Sequence, residues 1–314
     1  MQELRLGEMI RRRREELNIS QQALCDGICS RGTLSRFENG HQALSYRRAS
    51  VLLQRLGLPD NRSYVLLSED ELALEETERE ARNAGVALER AAAEERPLAW
   101  ARFREKLAAL EALGPDDPFV QQCSLSLQAV MGTEDGPYPF EERLGMQLEA
   151  LRLTVPRFDL EHIGQGLYSA EELRLIMQIA STHTAAERYG EAVRIYRIGT
   201  EYLEATGRGL PQYLFLKPSY IANHANALAW MGRYQEALEL AEEGILAGID
   251  TRRYHVLSTL LWVKAYCYYH LGQREESVRL YRQVYFLLLA TRDMGWIQIL
   301  KEQVKELLGV ELTD

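Results

Sequence analysis

Cysteine is scarce, with only Cys25, Cys29, Cys123 and Cys267 in 314 residues. Their spacing builds neither a disulfide framework nor, with the histidines, a metal-ligand set, which points to a reducing compartment. Long apolar runs are missing as well. No stretch approaches the ~18 uncharged apolar residues that a membrane-spanning helix requires. The opening MQELRLGEMIRRRREEL has no apolar centre between its charges, so it does not read as an export signal. A cytoplasmic protein with no membrane partner is the expectation. Patterns that carry catalysis are lacking too: there is no HExxH, no GxSxG and no phosphate-cradling glycine loop. His183, His224, His255 and His270 stand singly, and Gly-Arg-Gly at 207–209 reads as a plain loop. Neither enzyme chemistry nor a cofactor is expected. Strand-like alternation is almost absent.

What fills the chain instead is apolar spacing of helical period, interrupted by turn chemistry at Gly57 to Asp60, Gly114 to Pro118 and Gly132 to Pro139. The expected fold class is all-α. Length favours at least two units, and charge divides in the same way. Residues 1–62 hold 11 Lys+Arg against 7 Asp+Glu (net +4), while the rest hold 26 against 39 (net −13). A small basic unit therefore precedes an acidic body that a phosphate backbone would repel.

Within the basic unit, residues 20–40 read SQQALCDGICSRGTLSRFENG. Leu6, Met9, Ile10 and Leu17 mark one face of a preceding helix, and Ser20 and Ser30 are placed to cap the next two. Tyr46 to Leu56 forms a further helix with Ala49, Leu52, Leu53 and Leu56 inward, and a short helix near Leu44 would make five. Leu24, Ile28, Leu34 and Phe37 bury one side of the central pair of helices. That leaves Gln21, Gln22, Arg31, Gly32, Thr33, Ser35, Arg36 and Asn39 outside as the candidate DNA-binding set. Arginine can donate two hydrogen bonds to guanine O6 and N7, glutamine can pair with adenine, and a threonine methyl can touch that of thymine. A helix-turn-helix reader of the major groove is expected.

The order of cap, Gln, buried Leu, turn, cap, Arg, buried Leu, Arg and Glu-Asn-Gly resembles the Cro-repressor or XRE type of helix-turn-helix. The match covers about sixty residues. That resemblance implies a structural ion pair between Arg14 and Glu38. The turn between Leu24 and Ser30 is one residue shorter than the commonest pattern, and LSRFENG replaces the more usual isoleucine-containing phrase. Both details resemble the Rgg and PlcR group of peptide-sensing regulators.

Behind the reader, domains are expected at 1–65 (DNA-binding), 66–96 (a glutamate-rich linker helix with solvated charges) and 97–314 (sensor and dimerisation). Pro97 to Leu113, Pro118 to Met131 and Phe140 to Leu153 are further helices. Three later segments then align on their turns, around ERYGEA, GRYQEA and GQREES. Small residues recur in register, Ala180, Ala225 and Ala265 on the first helix and Ala192, Ala237 and Ser277 on the second, with Tyr196 and Tyr281 wedged against the next pair. This is tetratricopeptide logic. The separations of 45 and 40 residues exceed the typical ~34, a stretching that the Rgg and PlcR group shares. The resemblance implies a right-handed superhelix of such hairpins.

By register, Gln178, Ser181 and Thr184, then Asn223 and Asn226, then Trp262, Tyr266 and Tyr269 face the groove as candidate peptide-binding residues, with Lys217 placed to meet a carboxylate. Two carboxamides on one helix face offer donor and acceptor to a peptide backbone. Trp100, Trp230 and Trp296 are assigned to packing. The resemblance implies a homodimeric transcription regulator, bound to a double-stranded operator and controlled by a short signalling peptide. A groove that takes another protein, or repeats that serve only as a dimerisation scaffold for a constitutive regulator, is the alternative.

Overall fold

The structure, a computed structural model, describes residues 2–59, 68–206 and 210–313. The loop at 207–209 and the boundary at 65/66 lie outside the described residues. Among those described, helices account for every regular element, and the single bridge between Thr133 and Gly136 belongs to no strand. No described helix is long and apolar enough to cross a membrane.

The amino-terminal unit comprises α1 (Gln2–Glu16), α2 (Gln21–Cys25), α3 (Arg31–Glu38) and α4 (Tyr46–Arg55). Leu6, Ile10, Leu24, Ile28, Leu34, Phe37, Ala49, Leu52, Leu53 and Leu56 form its core. Ser20 and Ser30 cap α2 and α3, accepting from the amides of Ala23 and Thr33, as their positions before each helix require. Two expectations fail. Residues 41–45 are bend and coil, so there is no short helix near Leu44. Leu17 is 41% exposed, because α1 ends one residue earlier and the chain has already turned outward.

The body begins at α5 (Glu69–Arg90), opened by a capping box of Ser68 and Glu71. This helix does not run to residue 96 and does not lead away from the reader. It stops at Arg90 and, through Ala81, Ala84 and Leu88, packs against Trp100, Phe103 and Leu107 of α6 (Arg96–Leu113). The expected linker is thus half of the first helical pair. Its Glu78 carboxylate is not simply solvated either, since it bridges Arg47 (2.5 Å) and Arg82 (2.9 Å).

Next come α7 (Pro118–Met131) and α8 (Phe140–Thr154), a short 3-10 turn at Leu160–Gln165, then α9 (Ala170–Ala185) with α10 (Tyr189–Thr206) and the one-turn α11 (Pro211–Leu214). Two more pairs are α12 (Lys217–Trp230) with α13 (Tyr234–Asp250) and α14 (Val256–His270) with α15 (Arg274–Thr291), capped by α16 (Met294–Leu308). The small residues expected at the crossings are all fully buried, and the Ser277 hydroxyl donates to the Ala265 carbonyl at 2.7 Å. Tyr196 meets Tyr220 of the following pair edge-on. Among the described residues, first helices of successive pairs touch, α12 on α14 and more lightly α9 on α12, whereas α10 against α13 and α13 against α15 make no contact as extensive. The first helices therefore form the inner, tighter side of a curved stack. The stack curves until α16 returns to α5, where Asp293 lies 4.0 Å from Arg90.

Reader and body are joined tightly. Gly27, at φ +75° in the α2–α3 turn, lies so close to the body that a Cβ there would stand 2.1 Å from the Thr154 carbonyl oxygen.

Candidate nucleic-acid interface and inner groove

α3 is held from behind by charge. The Arg14 guanidinium grips Glu38 with two bonds, Nε to Oε1 at 2.7 Å and Nη2 to Oε2 at 3.0 Å, and a third donor reaches the Ile19 carbonyl. Beside it the Gln21 amide donates to Glu38 Oε2 at 2.7 Å. Gln21 is therefore tied into the scaffold, half-buried, although the sequence places it among the outward residues.

The other outward residues separate into free and engaged groups. Gln22 and Arg31 are exposed, with no side-chain partner among the described residues, and a Cβ at the exposed Gly32 would stand 3.7 Å from Arg36 Nη1 and 3.8 Å from Ser30 Oγ. Thr33 shares its hydroxyl with Ser30 at 2.8 Å. Ser35 is half-buried, and its carbonyl accepts from the Asn39 amide at 2.8 Å, so Asn39 closes the end of α3 while Arg11 reaches its oxygen. Arg36 is exposed, and its Nε donates to Gln42 Oε1 at 2.7 Å. Sequence reading overlooked Gln42, which lies six residues beyond Arg36 in a segment read as helix.

Two capped helices crossing over a buried Arg-Glu clasp, with a donor-rich face turned to solvent, make a specific arrangement, and the helix-turn-helix family matches residues 10–61. The chain carries an XRE-type helix-turn-helix domain. Among curated proteins none matches the chain. Among solved structures, PlcR of Bacillus thuringiensis in complex with the peptide PapR7 and DNA is similar at TM-score 0.60 and 17% identity, covering 95% of this chain and 99% of that one. Its apo form is similar at 0.52 and 14%, covering 96% and 99%. The competence regulator ComR of Streptococcus vestibularis, with its signalling peptide XIP, follows at 0.51 and 13%, covering 97% and 99%. These likenesses establish a shared fold along nearly the whole chain: a helix-turn-helix domain followed by helical repeats.

The helix-turn-helix domain meets the body through Arg55, the last residue of α4. Its Nη1 donates to the carbonyls of Leu24 (3.2 Å), in the last turn of α2, and Asp26 (2.8 Å), on the α2–α3 turn. Its Nη2 donates to the Thr154 carbonyl at the end of α8 (2.7 Å) and to Glu172 Oε1 on α9 (2.8 Å). Both charged side chains are almost sealed from water, at 2% and 1% exposure. Glu172 is also the third residue of α9's capping box, accepting from the Ser169 amide at 2.7 Å. Around this joint, Gln54 accepts from the Ala170 amide and Asp26 pairs with Arg157. Arg82 pairs with Glu171, whose half-buried carboxyl is held down at about 2 by the Arg82 and Arg174 charges.

Of the groove candidates on α9, Gln178 accepts from Ser126 of α7 at 2.9 Å, Ser181 lies 2.9 Å from the Tyr196 hydroxyl, and Thr184 bonds the Ala180 carbonyl. Asn223 and Asn226 are half-buried, and neither carboxamide has a hydrogen-bond partner among the described residues. Lys217 does not offer a free ammonium. Glu204 of α10 holds it at 2.8 Å with Glu243 of α13 at 3.6 Å, both on second helices of their pairs.

The aromatic residues behave collectively. Tyr266 stacks on Trp262 (centroids 5.2 Å apart, 13° between planes), and Trp230 approaches both rings. Tyr234 stacks on His270, which Tyr269 meets edge-on. The Trp262 indole donates to Gln303 of α16. Trp230 is 41% exposed and belongs to this surface rather than to the core, a placement its spacing of four from Asn226 and seven from Asn223 already contained. Trp296 is 57% exposed, because α16 turns Ile297 and Leu300 inward instead, and only Trp100 packs as expected. Burial pushes the His224 imidazole down to about 4, leaving it neutral under Tyr196. Burial likewise raises the thiols, Cys29 to about 11 and Cys123 and Cys267 to about 12, so none is a ready nucleophile.

Proposed function

We propose that this chain is a cytoplasmic transcription regulator that reads double-stranded DNA through α3 and is controlled by a short signalling peptide held along the inner faces of α9, α12 and α14. It acts as a homodimer, since readers of this kind engage two half-sites about one helical turn, ~34 Å, apart. The observation that carries the reading is Arg55. One guanidinium holds the α2–α3 turn of the reader and the wall of the groove together, so a ligand that moves α8 against α9 also moves the reader.

Arg31 and Arg36 act on base edges, with Gln22, Thr33, Ser35 and Asn39 beside them and Gly32 admitting the close approach. Gln21 acts through Glu38. In the groove, Asn223 and Asn226 clamp the peptide backbone, and Gln178 and Ser181 extend the polar line. Trp262, Tyr266 and Tyr269, with Trp230, supply an apolar platform. PlcR, which has this fold, was crystallised with a peptide and DNA, and ComR with its signalling peptide. A peptide that binds one curvature of the stack better than another shifts the population toward it, tenfold for each ~1.4 kcal/mol of difference.

Selection of bound sequences from random duplexes tests the DNA half. A defined site is expected, and Arg31→Ala and Arg36→Ala are each expected to cost about 1–3 kcal/mol, concentrated at one base pair. A loss spread evenly over all sequences makes them phosphate anchors. Titration with a synthetic library of short peptides tests the other half. Binding by the wild type, weakened about tenfold in Asn223→Ala by the loss of a backbone hydrogen bond, is the expected result. No binding by the wild type leaves the repeats as a scaffold.

A further inference from the structure

The geometry points to Gln42 as a positioning residue that sets the base preference of Arg36. This inference rests on the reading of α3 as the DNA-contacting helix. Arginine carries donors and no acceptor, so the Gln42 group that meets its Nε is necessarily the carbonyl oxygen. That bond removes Nε from the set available to DNA. Arginine can address guanine through its Nε edge or through its two terminal nitrogens, and with Nε occupied only the terminal pair remains.

The guanidinium is bounded on the other side too. Its Nη1 lies over Gly32, 3.7 Å from where a Cβ would stand, which leaves the arm room to lie back along the helix. Among the described residues no carboxylate pairs with Arg36, so its charge stays free for an acceptor-rich base edge. A free arginine side chain loses substantial rotamer freedom on binding. One held beforehand in an end-on pose loses less, and loses it for one target geometry rather than several. Gln42 thereby turns a mobile cation, which any phosphate would satisfy, into a directed pair of donors suited to guanine O6 and N7.

The test uses the full chain and the duplex chosen by selection, with binding measured for all four bases at every position. Arg36→Ala identifies the pair that Arg36 reads by flattening the preference there. Gln42→Ala is expected to reduce the guanine preference at that same pair by roughly tenfold and to leave other positions unchanged. The effect should vanish in an Arg36→Ala background. Gln42→Glu keeps an acceptor for Nε, so it is expected to retain the preference while weakening all duplexes evenly through its charge. Both residues are exposed, and thermal melts of each variant check that folding is intact. Wild-type preference in Gln42→Ala overturns the inference, as does flattening at a different pair, which would make Gln42 a reader itself. A wild type that prefers no duplex overturns the DNA-reading proposal as well and is distinguished by appearing before any variant is made.

Discussion

Arg55→Ala is expected to destabilise the protein by about 3–5 kcal/mol, the cost of leaving a buried charge without its partner. Glu172 would remain sealed at 1% exposure with only the Ser169 amide to satisfy it. The carbonyls of Leu24, Asp26 and Thr154 would lose their shared donor at the same time. Chemical denaturation followed by far-UV circular dichroism measures the loss. Hydrogen exchange locates it, with protection expected to fall at the α2–α3 turn and the start of α9 before the repeat core. Arg55→Met with Glu172→Leu, which removes both charges and restores volume, is expected to recover most of the stability while uncoupling the groove from the reader. A change below about 0.5 kcal/mol in Arg55→Ala, the range of an ordinary surface substitution, would show that the joint is not formed.

The second large effect is confined to the reader. Glu38→Ala strands the Arg14 guanidinium, which is 10% exposed, and releases Gln21, so a loss of about 3 kcal/mol is expected. Since α3 is held against α1 by this clasp, DNA affinity should fall with stability even though Glu38 faces no base. Glu38→Gln keeps an acceptor for Arg14 and is expected to lose less. Melting of the helix-turn-helix domain, read separately from the body by hydrogen exchange, checks both variants. Equal protection of α3 in Glu38→Ala and in the wild type would remove the clasp from the account.

Much of the site is legible along the chain because its determinants are local. Ser20 and Ser30 cap helices that begin within three residues of them, and Leu24, Ile28, Leu34 and Phe37 follow a period that any buried helix face must follow. The repeat crossings at Ala180, Ala192, Ala225, Ala237, Ala265 and Ser277 are legible for a similar reason, since close approach of two helices demands small side chains at a fixed interval from the turn.

What misled was partner choice. Glutamates on α5 looked like a solvated face, and the approach of α4 to α5 brought Arg47 onto Glu78, beside Arg82 four residues along the same helix. Lys217 looked free until α10 and α13 brought Glu204 and Glu243 beside it. Trp230 and Trp296 looked like core because large aromatic residues commonly are.

Sequence alone determined that the protein is helical, where the reader's helices are capped, and which small residues sit at the repeat crossings, since periodicity and capping act over a few residues. Only tertiary structure decided which charges meet. Arg55 and Glu172 stand 117 residues apart, and no local pattern encodes an encounter that depends on the summed curvature of every helix between them.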